Sequence, residues 1–420
     1  MYAQNQMQWV STLSTRPSLE SALKEVVEQA ERSLEGPADL GLIFISSAFA
    51  SEYSRLMPLL AEMLPIPAIV GCGGGGVIGT NQGGVTEEAE GSPAVSLSLA
   101  RLPGVKVTTF HVSAEQLPDL DSPPDTWVDL LGVPAEEKPQ FIILADPFSA
   151  KINDLLQGLD YAYQGAPKVG GLAGGDGTRG AALFCNYRLY REGTVGVALS
   201  GNIVLETIVA QGCRPIGRPY RVTEGERNIL LKLEEQTDDT GSAGAQRSPL
   251  ESLRELVQTL SEEDRELAQH SLFVGLVSDE FKLRLEPGDF LIRNLLGVDP
   301  KVGAIAIGDR VRPGQRIQFH LRDARTSAED LEILLSRYQL SIEDRGRSRS
   351  AGALMFSCLG RGEGLYGEPN FDSRLFGKYF NNIPLSGFFC NGEIGPVGGS
   401  TFLHGYTSVF GICRQNSFDS

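Results

Sequence analysis

The stretch Gly71-Cys72-Gly73-Gly74-Gly75-Gly76-Val77-Ile78-Gly79 follows a proline, Pro67, and has two counterparts further along the chain. Gly170 opens GGLAGGDG behind Pro167, and Gly387 opens GFFCNGEIG behind Pro384. Upstream of each lies one apolar run: Leu42–Ser46, Phe141–Asp146 and Ala353–Cys358. Between run and glycine turn, apolar residues recur at helical spacing. They are Leu56, Leu59, Leu60, Met63 and Leu64 in the first interval, and Ile152, Leu155, Leu156, Leu159 and Tyr163 in the second. Phe371, Leu375, Tyr379 and Phe380 form a weaker stripe in the third. The pattern predicts three copies of a strand, a helix and a parallel return strand that ends in a glycine turn.

After each turn the pattern alternates as in half-buried strands: Ala94–Ala100 with Val105–Val112, then Ala182–Leu189, Thr194–Leu199 and Asn202–Val209. Val105–Val112, behind Pro103-Gly104, reads as the second arm of a hairpin. The expected fold is α/β to α+β: mixed sheets flanked by helices, built from repeated β-α-β-β units in two domains. Residues 113–140, acidic and proline-rich, read as an excursion or lid, and 234–249 as a disordered loop. Gly212–Arg221 marks the passage to a second domain. Strands are expected there at Asn228–Leu233, Leu272–Val277, Phe290–Leu296 and Gly303–Ile307, with a helix carrying Leu250, Leu253, Leu256, Val257 and Leu260.

The chain has 420 residues, 41% hydrophobic, and a net charge of −16. That charge opposes nucleic acid or an anionic membrane as partner. The longest apolar run, Leu40–Ala50, falls well short of a membrane span, and the N-terminus shows no basic-then-apolar leader. The expectation is a cytoplasmic protein without membrane insertion. Six scattered cysteines form no C-x-x-C pair, and the four histidines no H-x-x-x-H, so neither a disulfide framework nor a metal site is expected.

Three G-x-G-x-x-G matches begin at Gly71, Gly74 and Gly362, but polar Thr80–Gly91 follows the first two where a dinucleotide site needs a helix. No cofactor is expected. In open α/β sheets ligands sit beyond the carboxyl ends of parallel strands. Those ends carry Ser46, Ser47, Asp146 and Cys358, and the adjoining loops and turns add Arg361, Glu363, Cys72, Gly73, Gly74, Gly75, Gly76, Asp176, Asn391 and Glu393. Glycine turns offer N–H groups to an anion, Arg361 can grip a carboxylate bidentately, and Glu393 can receive an ammonium. Pairing of Arg361 with Glu393, or the capping of a turn, is the equally weighted alternative, and Asp176 reads first as a tight-turn residue. Cys72, Cys358 and Cys390, with His404, are the alternative catalytic set of a cysteine-dependent hydrolase or transferase, for which a thiol needs a base or positive field. A scaffold role, with glycines serving only close packing, is the third possibility.

The segments GCRPIGRPYRVTEGERNILLKLE, LFVGLV, DFLIRNLLGVDP, SCLGRGEGLYG, GFFCNGEIGPVGG and TFLHGYTSVF resemble the FIST (F-box and intracellular signal transduction) family. The resemblance divides the chain into an extension at 1–39, a FIST N-terminal domain at 40–212, a C-terminal domain at 213–413 and a tail at 414–420. It implies a sensory module, a binding protein rather than an enzyme. The implied ligand is an amino acid or related small carboxylate. Some relatives carry an F-box or a fused output domain; neither is recognisable here, so a separate signalling protein is the expected partner.

Overall fold

The computed structural model describes residues 6–148, 151–174, 181–236, 245–345 and 350–416. Two compact units are present: one runs to Val209 and resumes at Glu332, and the other is Ala210–Leu331. All three glycine turns lie in the first unit.

That unit holds three six-stranded mixed sheets. At the centre of each is the expected parallel pair: Leu40–Ser46 with Ile69–Gly74, Gln140–Ala145 with Lys168–Leu172, and Ser350–Cys358 with Leu385–Cys390. The crossovers carry the helices Tyr53–Met63, Ile152–Ala162 and Phe371–Tyr379. Gly71, Gly170 and Gly387 occupy one structural position. They pair with Ile43, Ile143 and Met355, and a Cβ on any of them would overlap that partner's carbonyl oxygen. Only glycine lets the two strands close there.

The repeat is longer than its glycine signal. Each copy starts with an edge strand (Gln8–Ser14, Val105–Val112, Ile203–Ala210) and ends with one antiparallel to the first central strand (Val95–Arg101, Thr194–Gly201, Ser408–Gln415). Val105–Val112 is therefore not the partner of Val95–Arg101. The two lie in different sheets, because the short connection between them is where one repeat ends and the next begins. Residues 113–140 are no excursion either. They contain the helix Pro124–Leu131, whose fully buried Trp127 lies against Gly158 of the second crossover helix. The equivalent interval of the first repeat holds Leu19–Ser33, capped by Ser18 and buried along Leu19, Leu23, Val26, Val27 and Ala30. In the third repeat that interval contains the whole of Ala210–Leu331.

Between the return strand and the last strand each repeat makes a hairpin, and each hairpin joins another repeat's sheet. Gly76–Thr80 and Thr86–Glu90 extend the third sheet, with Ile78 opposite Gly387. Leu183–Cys185 and Arg188–Tyr190 extend the first, with Phe184 opposite Gly71. Glu393–Val397 and Ser400–His404 extend the second, with Ile394 opposite Gly170. The exchange is cyclic. One apolar cluster joins all three sheets through Leu42, Phe44, Ile142, Leu144, Phe356 and Phe388, each fully buried side chain contributing roughly 1.5–3 kcal/mol.

Ala210–Leu331 is organised differently. Arg214–Glu226, Arg316–Leu321, Leu272–Val277, Phe290–Asp299, Ala304–Ile307 and Ile229–Glu235 pair antiparallel in that order, and the last pairs with the first to close a barrel. Closure removes free sheet edges. The helix Pro249–Thr259 follows Ser248, whose side chain accepts the Glu251 N–H. Of the loop expected at 234–249, residues 237–244 lie outside the described residues.

Candidate functional site

The three glycine turns meet where the hairpins leave their own repeats. The N–H of Gly75 donates to Phe389 O (3.1 Å), that of Gly174 to Gly73 O (2.8 Å), and that of Asn391 to Leu172 O (3.2 Å). These donors and acceptors are equivalent residues of the three copies, so the bonds form a ring. Gly73 also donates to Ala182 O (2.9 Å). A Cβ on Gly73 would lie 2.7 Å from the Tyr53 hydroxyl, and one on Gly74 would lie 2.9 Å from Phe388 Cβ. The glycines of GCGGGG are thus required by protein packing, and the Gly73 and Gly75 N–H groups are already engaged.

Because the copies superimpose in register, each repeat is a control for the others. Ser46, Asp146 and Cys358 stand at one position, their N–H groups donating to the carbonyls of Ala94, Gly193 and Thr407 at 2.9, 2.9 and 3.0 Å. Gly75, Gly174 and Asn391 share a second position. Val77, Leu183 and Glu393 share a third, where each hairpin begins. At the first place all three repeats carry a polar side chain, but at the second and third only the third repeat does. Glu393 is fully buried, and its Oε2 accepts the Thr407 hydroxyl (2.7 Å) and N–H (3.1 Å). Asn391 Nδ2 donates to Ala173 O at 3.3 Å. Cys358 is half-buried, with the Gly360 N–H on its sulfur at 3.5 Å.

The structure thus gathers Cys358, Asn391 and Glu393 around the ring with Gly73, Gly74 and Gly75. Asp146 occupies the matching end of the second sheet, its Oδ1 accepting the Phe148 N–H (3.2 Å). Asp176 lies outside the described residues. Arg361 is completely buried, bonded to Asp372 through Nε (2.8 Å) and Nη2 (3.1 Å) and to the Tyr366 hydroxyl (2.6 Å). Such a bidentate pair fixes the loop that follows Cys358. Thr407, Asp372 and Tyr366 were not expected from the sequence. TFLHGYTSVF carries Thr407, but nothing in it marks a turn threonine as a partner for a carboxylate.

The candidate thiols differ in setting. Burial pushes the Cys72 thiol well above the usual range. The Cys390 thiol is raised likewise, first by burial and then by the charge of Glu393. Both conditions oppose thiolate formation. His404 sits opposite Glu393 in the hairpin, and its Nε2 donates to Gly395 O (3.0 Å). Among the described residues no group of three or more His, Cys, Asp or Glu side chains could hold a metal ion, and no helix is long and apolar enough to cross a membrane.

The sequence matches the FIST N domain over residues 39–236 and the FIST C domain over 249–396. An uncharacterized protein of Mycobacterium bovis is 33% identical over 400 residues, covering 95% of this chain and 96% of the relative. An uncharacterized protein of Mycobacterium tuberculosis is 33% identical over 405 residues, covering 95% and 98%. An F-box/LRR-repeat protein of Arabidopsis thaliana is 28% identical over 122 residues, only 26% of this chain and 23% of that protein. FIST domains are associated with sensory roles in signal transduction. With both domain matches in their expected order and full-length relatives at this identity, the chain belongs to the FIST family.

Proposed function

We propose that this chain is a cytoplasmic sensory protein that binds a small molecule beside the ring of glycine turns and reports occupancy to a signalling partner. One observation carries the reading. Where two repeats place Val77 with Ala94 and Leu183 with Gly193, the third places Glu393 with Thr407, although the same backbone tolerates apolar residues. Burying a carboxylate is costly, so fold alone gives no reason for it. The first ligand class to test is an amino acid or related small carboxylate, with Glu393 facing its ammonium and Cys358 and Asn391 beside it. Arg361, committed to Asp372, acts in this reading as a positioning residue. The proposal keeps 40–212 and 213–413 as the two FIST segments, flanked by 1–39 and 414–420.

A thermal-shift screen with amino acids, small carboxylates and nucleotides tests it, because a ligand of the native state raises the melting temperature. The expected result is stabilisation by one compound class, weakened by about 1.5–3 kcal/mol in Glu393→Gln if the bond is charge-assisted. No shift with any compound, or equal affinity in Glu393→Gln, overturns it. The half-buried setting of Cys358 at a strand end favours a second reading as a cysteine-dependent enzyme. Turnover of a stabilising compound, lost in Cys358→Ser, would establish that instead.

A further inference from the structure

Beyond Cys358 the chain crosses the first repeat's hairpin before entering the third crossover helix, and two carboxylates of that hairpin hold it down. Glu90 accepts the Glu363 N–H at 2.9 Å, and Gly362 is pressed so closely on the Glu90 carboxylate that a Cβ there would overlap it. Gly362 has φ of 63°, which an L side chain rarely adopts. Glu88 Oε1 accepts the Ser373 N–H at 2.7 Å, and the Glu88 N–H donates to Asn370 Oδ1 at 2.6 Å. Tyr366 stacks on Phe371 with ring centroids 3.9 Å apart, which ties two parts of the segment together.

Glu88 is 6% exposed, and its second carboxyl oxygen has no hydrogen-bond partner. The charged groups that act on it are Asp372 from the crossing segment and Glu90 from its own strand. Asp372 in turn is bonded to Arg361 through Nε and Nη2. An ionised Glu88 thus meets a second carboxylate in a dry place, whereas a protonated one escapes that repulsion and the larger desolvation cost of a charge.

We propose that residues 359–373 form a proton-gated strap, closed onto the Thr86–Glu90 strand while Glu88 is protonated and released when Glu88 ionises. The closed form places Glu88 at a pKa of about 7, raised by burial first and by Asp372 second; burial also raises Glu90. For an acid whose pKa is raised in the closed state, closure is strongest below the ordinary 4.5 and is lost as pH rises through about 7. The strap's first residues are tied to the ring of turns, Leu359 donating to Cys390 O at 3.0 Å. Control of ligand access by the strap rests on the function proposed above; the strap's own response to pH does not.

Hydrogen exchange of the full chain, read by mass spectrometry at pH 6 and pH 8 and corrected for intrinsic rates, tests the strap. Taking 4.5 for the released Glu88 and about 7 for the closed one, the opening equilibrium rises about tenfold between those pH values. That loss of protection should be confined to residues 359–376 and 86–90, and Glu88→Gln should keep both segments protected at either pH. Unchanged protection in the wild type, a loss spread over the whole unit, or a Glu88→Gln protein with the wild-type pH response overturns the proposal. If Glu88→Gln does not fold, the wild-type pH profile decides: opening that rises with pH and levels off near 7 supports the strap, and no change between 6 and 8 refutes it.

Discussion

Glu393 and Thr407 can be replaced by apolar residues that the other repeats carry in their places, leucine as at Leu183 and alanine as at Ala94, and the outcome can be worked from the contacts. In Thr407→Ala the buried carboxylate loses its hydroxyl donor, a charge-assisted bond of 2.7 Å, at a cost of about 1.5–3 kcal/mol. In Glu393→Leu the desolvated charge disappears, but the Thr407 hydroxyl and N–H lose their acceptor, about 1–3 kcal/mol each. The relief from removing the charge is of similar size, so the net change is within about 2 kcal/mol. In the double variant the hydroxyl is gone with the carboxylate and only the N–H is left over, so it should be more stable than Thr407→Ala. The expected coupling is about 1.5–3 kcal/mol, measured as a double-mutant cycle on urea midpoints. Additivity within about 0.5 kcal/mol would refute both the pairing and the use of the repeats as mutual controls.

Three further outcomes follow from the same geometry. Gly170→Ala and Gly387→Ala each drive a methyl group into a neighbouring strand's carbonyl and should lower stability by about 3 kcal/mol or more, with similar losses of melting temperature at the two equivalent sites. An uncharged alkylating reagent should modify Cys358 in the folded protein while Cys72 and Cys390 stay unmodified until denaturation, as peptide mapping will show. Burial lowers the His320 pKa to about 4, so the barrel's stability is intact above the ordinary 6.5 and declines as pH falls through about 4, by up to about 3 kcal/mol; His320→Leu should remove that slope from an acid-unfolding titration.

The repeat could be read from the sequence because its main constraint is local: a parallel pair needs glycine where the return strand passes a carbonyl, and the chain shows Gly71, Gly170 and Gly387 at that place. The exchange of hairpins could not, since the alternation in Val77–Thr80 or Glu393–Val397 says which face is buried and not which sheet receives it. Closure of the barrel is hidden for the same reason. The third crossover stripe misled in part. Its buried face is Asp372, Ser373 and Phe376, because Arg361 and Glu88 supply partners that make polar burial affordable. At the candidate site the sequence indicated Cys358, Asn391 and Glu393, but not that Arg361 has a bidentate partner, Asp372, eleven residues further on. Residues 8–33 show that an unremarked helical stripe can still complete a sheet and its cover.

The hairpin exchange also sets the order in which the molecule can be made. Ile78 leaves the ribosome about 300 residues before its partner Gly387, with the inserted barrel made in between. Until then Gly76–Glu90 has no sheet to join, and the Lys168–Leu172 edge waits for Glu393–Val397. Nascent chains must hold two open strand edges through the synthesis and folding of the inserted barrel, which is when mispairing is most probable. Once the last hairpin docks, each repeat is gripped by the other two, and loosening one requires breaking contacts to both.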